Sequence, residues 1–203
     1  MDSIVIIGTG GFALELSALL SKVGINIQGF IGPEPCRKLP ALWLGNDESM
    51  DKISEKNSVL IAVGDPNIRS KLDLKIRNNK IKQYTFIHPE SYISSDVIIE
   101  EGSIIYPNVT IHSGVIIKKN VLVNSNSSIG HETIVGEYSN IGPGVSIGGC
   151  CKIGRKVYIG IGSSVIEKIN ICKDVLIGAG ASVVSDIILP GTYIGVPAKK
   201  IKK

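Results

Sequence analysis

From Phe86 to Lys199 the sequence repeats every six residues. The second position of these nineteen hexads runs from Ile87 through Ile129 and Val183 to Leu189 and Gly195, and eighteen of the nineteen are branched aliphatics. A helix needs a period near 3.6 and a lone strand a period of 2, so six suits neither alone. It suits a chain that lays down a short strand, points one aliphatic inward and turns a corner. Three hexads then close one triangular turn of a parallel β-helix. The sixth positions agree, because Val97, Val109, Val121 and Val145 alternate there with Ser, Thr, Cys and Ala, all small enough for a narrow prism. Third positions carry six consecutive glycines from Gly130 to Gly160, expected to serve corners of positive φ. A spacer or ice-binding rod would share the repeat. An ice-binding face wants regular Thr ladders, however, and Thr110, Thr133 and Thr192 are scattered.

The residues before the repeat read differently. An apolar strand, Ser3 to Ile7, leads into Gly8-Thr9-Gly10-Gly11, and an amphipathic stretch runs from Phe12 to Val23. Strands are expected at Asn26 to Ile31 and Val59 to Val63, and a helix from a cap at Asn67 through Ile76. Strand, glycine turn, helix, strand is the βαβ order of a small doubly wound sheet. Two domains follow: a Rossmann-like domain over residues 1–82 and a β-helix domain over 83–203.

Gly8-Thr9-Gly10-Gly11-Phe12-Ala13 satisfies a dinucleotide glycine pattern. The acidic residue that should end the second strand is missing, since the chain reads Phe30-Ile31-Gly32-Pro33, and hydride chemistry is disfavoured. A glycine turn opening a helix still offers N–H groups and a positive dipole end to a phosphate.

Composition closes other routes. The chain of 203 residues carries a net charge of +4 with no basic stripe interleaved with aromatics, so nucleic acid is not an expected partner. Lys199, Lys200, Lys202 and Lys203 crowd the C-terminus, and Arg155, Lys156, Lys168 and Lys173 are further candidates to meet phosphates. No apolar run approaches the ~20 residues of a membrane span, and no signal peptide is evident. Cys36, Cys150, Cys151 and Cys172 lack metal-ligand spacing, so no metal is expected. Cys151 falls at an inward position, and a reduced, cytoplasmic setting is expected.

Of the three histidines, His88 precedes Pro89 at the domain junction, and His112 sits beside Ser113 without a neighbouring acid. His131 is followed by Glu132 at a corner, where side chains leave the prism. Gly149 lies eighteen residues on, one coil further along the same corner. Adjacent strands lie ~4.8 Å apart, so an uncovered backbone N–H would stand next to an imidazole. A base and an oxyanion donor at that separation suit acyl transfer.

These features together resemble the sialic-acid O-acetyltransferase type sugar acyltransferases, a hexapeptide-repeat family with a left-handed β-helix. The nearest likeness is to its N-acetyltransferases of nucleotide-linked 4-amino sugars. The segments that carry it are Ile6 to Phe12, Ile61 to Asp65, Ile87-His88-Pro89, His131-Glu132 with Ile134 to Glu137, and the closing Gly195 to Lys199. The resemblance implies that His131 is the base, that Glu132 raises its basicity, and that the Gly149 amide faces the thioester oxygen. It implies a homotrimer with acetyl-CoA along the seams near Asn140, Gly142, Ile161, Ala179 and Lys199. It places the nucleotide-linked amino sugar at Gly10, Gly11, Phe12, Gly64 and Asp65. This chain departs from relatives that carry histidines where it has Phe12 and Asn140, and from those with paired aspartates where it has Gly32-Pro33; Glu34 is the available substitute. O-acetylation of a sialic acid or similar sugar, and a catalytically silent nucleotide-sugar-binding protein, are the alternative readings.

Overall fold

The computed structural model describes residues 3–53 and 57–201. The chain divides into two compact units, Met1–Thr85 and Phe86–Lys203.

The first unit is a five-stranded parallel sheet in the order β3-β2-β1-β4-β5. Its strands are β1 Ile4–Ile7, β2 Ile27–Ile31, β3 Leu42–Gly45, β4 Ser58–Ile61 and β5 Lys82–Gln83. Strand β1 is apolar throughout and wholly buried because both faces of the sheet are covered. Helix α1, Gly11–Lys22, buries Ala13, Leu16, Ser17 and Leu20, a helical spacing that forms one apolar stripe. On the other face Val5, Ile7, Ile31, Val59 and Ile61 form a core with Leu72 and Ile76 of helix α2, Pro66–Asn78. Met50 of a short 3₁₀ helix, Asp47–Lys52, and Ile53 just after it complete that core.

Two sequence expectations are corrected here. The α2 cap is Asp65 instead of Asn67: its carboxylate accepts from the N–H groups of Asn67 (2.8 Å) and Ile68 (2.9 Å). Pro66 then opens the helix, where a missing N–H costs nothing. Strand β3 was not expected at all. It lies at the sheet edge, and its Leu42 and Trp43 are exposed, so no buried run announces it.

The second unit is a parallel β-helix whose strands stack into three sheets. Equivalent residues pair at intervals of eighteen, as in Thr110↔Ser128↔Ser146↔Ser164. The second positions from Ile105 to Val183 all point inward and are buried. Cys151 is buried among them, and burial pushes its thiol above the ordinary range.

The hexad register is lost in the last coil. Val165 pairs with Val183, but Ile171 pairs with Ile187 and Ile177 with Tyr193, a spacing of sixteen. Ile187 therefore takes the inward place expected of Leu189, which is 57% exposed. Strand Gly191–Ile194 then folds back on Lys199–Lys200 as an antiparallel pair that ends the coil.

The glycines of the third positions have a different cause from the expected one. Positive φ occurs at the fifth positions, at Asn108, Asn120, Asn126, Glu132, Tyr138 and Cys150 among others, and at Gly114, Gly144, Gly162 and Gly180. The third-position glycines are needed because the next coil is too close. A Cβ on Gly130 would lie 2.5 Å from the Gly148 carbonyl carbon, and one on Gly154 would lie 2.6 Å from Lys173 N. Among the described residues no helix is long and apolar enough to cross a membrane.

Candidate active site

The corner after strand Ser128–Ile129 carries His131 and Glu132, and the chain turns left-handed at Glu132 (φ 55°). The same corner of the next coil carries Gly149 and Cys150 (φ 59°). The Ser128↔Ser146 register stacks these two corners directly. A Cβ built on Gly149 would lie 2.5 Å from His131 Nε2 and 2.8 Å from its Cδ2 and Cε1. The imidazole thus occupies the space that any side chain at position 149 would need, with Nε2 turned toward that glycine.

The other ring nitrogen, Nδ1, stands 3.8 Å from Glu132 Oε2, beyond hydrogen-bond reach. Oε2 accepts instead from the Cys150 thiol at 3.2 Å, and Cys150 Sγ lies 3.9 Å from Nδ1. Hydrogen bonding to Glu132 pushes the Cys150 thiol above its ordinary range, since losing the proton would leave two anions side by side. The side chains of His131 and Glu132 are 63% and 72% exposed, so a substrate reaches them without any rearrangement. This contact of Cys150 with Glu132 went unrecognised in the sequence. The only signal available was the place of Cys150 eighteen residues after Glu132.

The coil-to-coil ladder explains why Gly149 has a donor to offer. First-, third- and fifth-position N–H groups bond to the neighbouring coils, as in Thr110 to Ser127 O, His112 to Ile129 O and Cys150 to His131 O. Fourth-position N–H groups have no place in that ladder, and Pro89, Pro107 and Pro143 stand there without loss. Gly149 is a fourth-position residue, and its N–H donates to nothing among the described residues. Gly149 has no side chain to cover that donor, and the imidazole stands over the same residue.

A second edge of the prism holds most of the candidate acyl-donor residues. Ile161 and Ala179 are fourth-position residues one coil apart, and their N–H groups likewise donate to nothing among the described residues. Gly144, Gly162 and Gly180 beside them have positive φ and leave open space where side chains would be. Gly142 lies on this edge, with the coil above too close for a Cβ. Lys199 belongs to the closing hairpin, which is tied to the same edge by the Ala198 N–H to Ser182 O bond. Asn140 differs: it opens the strand that runs into Gly142 and is buried. The structure therefore brings His131, Glu132 and Gly149 together on one edge, and Gly142, Ile161, Ala179 and Lys199 along another. A single chain does not unite the two sets.

The candidate phosphate cations are dispersed. Arg155 is paired with Glu137 at 3.3 Å and lies over the Tyr138 ring at 5.0 Å. Lys168 stands beyond Cys150 on the His131 edge, Lys156 and Lys173 share the Arg155 edge, and Lys202 and Lys203 lie outside the described residues. His112 is exposed on the His131 edge, one coil earlier. His88 is 2% exposed, and its Nδ1 accepts from the Glu90 N–H, which removes it from reach of a substrate.

In the first unit the candidate nucleotide residues follow the carboxyl ends of β1 and β4, paired neighbours at which the strand order reverses. Such a switch point is where open parallel sheets bind ligands. Gly10 caps α1 without a side chain, and no acid stands in the first turn, so the positive helix end is uncompensated. A Cβ on Gly10, Gly11 or Gly64 would meet nothing within 4 Å. Phe12 is half-buried at the start of α1, and Asp65 is exposed but committed to its capping bonds. Arg69, which the sequence did not single out, is fully buried and donates to Val63 O (2.8 Å) and Gly64 O (3.2 Å), fixing that loop.

Comparison with known proteins matches residues 3–76 to the PglD N-terminal domain, and residues 80–113 and 114–149 to the bacterial transferase hexapeptide repeats. No curated protein matches the sequence. Among solved structures, PerB from Caulobacter crescentus, in complex with CoA and GDP-perosamine, is 28% identical with a TM-score of 0.94, over 100% of this chain and 98% of that one. The acetyltransferase domain of PglB from Neisseria gonorrhoeae, in complex with acetyl coenzyme A, is 25% identical with a TM-score of 0.92, over 98% and 99%. WeeI from Acinetobacter baumannii, at 23% identity and a TM-score of 0.87 over 99% and 100%, shares the fold. A mirror-image coil cannot superpose at such scores, so the β-helix has the left hand of these structures.

Proposed function

We propose a reaction for this chain, which belongs to the hexapeptide-repeat acyltransferases: acetyl-CoA-dependent N-acetylation of a nucleotide-linked 4-amino sugar. The observation that carries it is the His131 imidazole seated over Gly149, with an unused N–H beside it. The two structures solved with CoA or acetyl coenzyme A span nearly the whole chain, and one of them also holds GDP-perosamine.

Bound acetyl-CoA supplies the activated acyl carbonyl. His131 Nε2 takes the proton that the sugar amine gives up as its nitrogen bonds to that carbon. The Gly149 N–H receives the negative charge that gathers on the carbonyl oxygen. The imidazolium then returns its proton to the sulfur as the C–S bond breaks. Glu132, 3.8 Å away on the Nδ1 side of the ring, is assigned as the acidic partner of the base. The edge at Gly142, Ile161 and Ala179 suits a flexible acyl-donor arm, because Ile161 and Ala179 keep undonated N–H groups, Gly144, Gly162 and Gly180 leave open space, and the exposed Ile161 side chain offers an apolar contact. The nucleotide sugar is assigned to the switch-point crevice at Gly10, Gly11, Phe12, Gly64 and Asp65, and the setting is assigned as cytoplasmic.

Because the acyl-donor edge and the His131 edge differ, a complete site takes one edge from each of two copies. That is a head-to-tail contact, and closure of such contacts gives a ring. The assembly proposed is a trimer. Sedimentation at assay concentrations is expected to show it, and an active monomer defeats the assignment.

The reaction itself is tested by CoA thiol release from acetyl-CoA against amino and hydroxy sugars carried on GDP, UDP and dTDP. Release is expected with a 4-amino sugar on one of these nucleotides. Release with hydroxyl acceptors alone would make the enzyme an O-acetyltransferase, and release with none would make it a sugar-binding protein.

A further inference from the structure

The corner that holds the base also holds a cysteine that the mechanism does not use, and with the base and its acid it makes a ligand set. His131 Nδ1, Glu132 Oε2 and Cys150 Sγ come from two successive coils and lie within 4.8 Å of one another. They are an imidazole nitrogen, a carboxylate oxygen and a thiol sulfur, three donors that zinc accepts together. We propose that this triangle is an inhibitory site for a thiophilic divalent cation, with zinc the fitting ion.

Size supports the assignment. The triangle's edges are 3.2 Å (Sγ to Oε2), 3.8 Å (Nδ1 to Oε2) and 3.9 Å (Sγ to Nδ1). Zinc bonds of about 2.3 Å to sulfur and about 2.0–2.2 Å to nitrogen or oxygen give tetrahedral edges of roughly 3.3–3.6 Å. The three donors already span one face of such a tetrahedron, and adjustments of a few tenths of an ångström complete it. The fourth position opens to solvent, because His131 and Glu132 are exposed. In the free protein the Cys150 proton bridges sulfur and carboxylate; on binding it leaves to solution and the cation takes its place. The spacing that hid this set is that of the coil: Cys150 lies eighteen residues after Glu132, far from any familiar zinc spacing.

The inhibitory sense rests on the proposed role of His131; the binding does not. A cation on Nδ1 places positive charge on the ring and engages the Glu132 carboxylate. That charge opposes a second positive charge forming at Nε2 on the Gly149 side. Without metal, Cys150 takes no part in the reaction, and Cys150→Ser keeps its turnover.

Cobalt(II) and zinc(II) titrations of the full chain under reducing, chelator-free conditions test both halves. Cobalt is expected to bind once per chain and to give a near-ultraviolet thiolate-to-cobalt charge-transfer band. Cys150→Ser is expected to abolish the band and weaken zinc binding more than about tenfold, because even outer-sphere partners of metal ligands are worth 10–100-fold. Wild-type acetyl transfer should fall in step with zinc occupancy, recover on chelation, and resist zinc in Cys150→Ser. No charge-transfer band, or one that persists in Cys150→Ser, overturns the site. A band lost in Cys150→Ser with wild-type turnover indifferent to bound zinc upholds the site and overturns His131 as the base.

Discussion

Replacing His131 with alanine is expected to lower kcat by about 10²–10⁴-fold, the usual contribution of a positioned general base. KM for both substrates should change little, because the proposed role is proton transfer and the acyl donor and nucleotide are assigned to other residues. Thermal stability should stay close to wild type. The side chain is 63% exposed, so its loss opens no cavity. Glu132→Ala should cost less than His131→Ala, since Oε2 stands 3.8 Å from Nδ1 and already accepts from Cys150. Steady-state kinetics and a thermal melt on the same preparations check all three statements. If His131→Ala binds both substrates and turns over normally, the base is another group. The first to test is His112, exposed on the same edge one coil earlier; His88 is too deeply buried to serve.

The β-helix could be read in advance because its repeat is a packing constraint that each coil must meet anew. Every second position from Ile105 to Val183 has to fill the same narrow prism, so the aliphatic pattern and the fold are one statement. That logic fails where the chain ends. The register slips by two between Val183 and Ile187, and Leu189 continues the periodicity by composition alone while Ile187 fills the core. Edge strand β3 was invisible for the opposite reason, because half-covered residues such as Trp43 leave no alternating pattern. At the site, His131 and Gly149 could be paired by counting eighteen residues, since backbone register alone stacks them. The Cys150 contact could not. It depends on side-chain directions at two left-handed corner residues, which position in the repeat does not specify. The split of the expected residues over two edges was open to the same count, since Ile161 follows His131 by thirty residues, which is not a multiple of eighteen. Spacing by six places residues on a corner, but which corner they share follows only from spacing by eighteen.

Gly149→Ala offers the sharpest separation of chemistry from folding. Gly149 does not have positive φ, so alanine is tolerated by the backbone there and restricts the unfolded chain, which alone is worth about 0.4–1 kcal/mol of stability. Its Cβ, however, would sit 2.5 Å from His131 Nε2, a contact that cannot persist. The exposed imidazole is free to swing away, so the fold escapes the clash and the site does not. The base leaves its place and a methyl group covers the oxyanion donor. Displacement of about 1 Å alone costs about 10²-fold, and removing an oxyanion donor costs about 10²–10³-fold. A loss of at least about 10²-fold in kcat is therefore expected, with an unchanged or slightly raised Tm. The neighbouring Gly148→Ala should do the reverse. Its Cβ would lie 2.5 Å from Glu167 N and 2.7 Å from Glu167 Cα, and backbone of the next coil cannot move aside. That overpacking should cost about 1–3 kcal/mol and lower Tm, while turnover of the protein that remains folded falls much less. Paired melts and turnover numbers for the two variants decide the matter. If Gly149→Ala keeps wild-type turnover, the imidazole over that glycine is a surface side chain and the acyl-transfer site lies elsewhere on the prism.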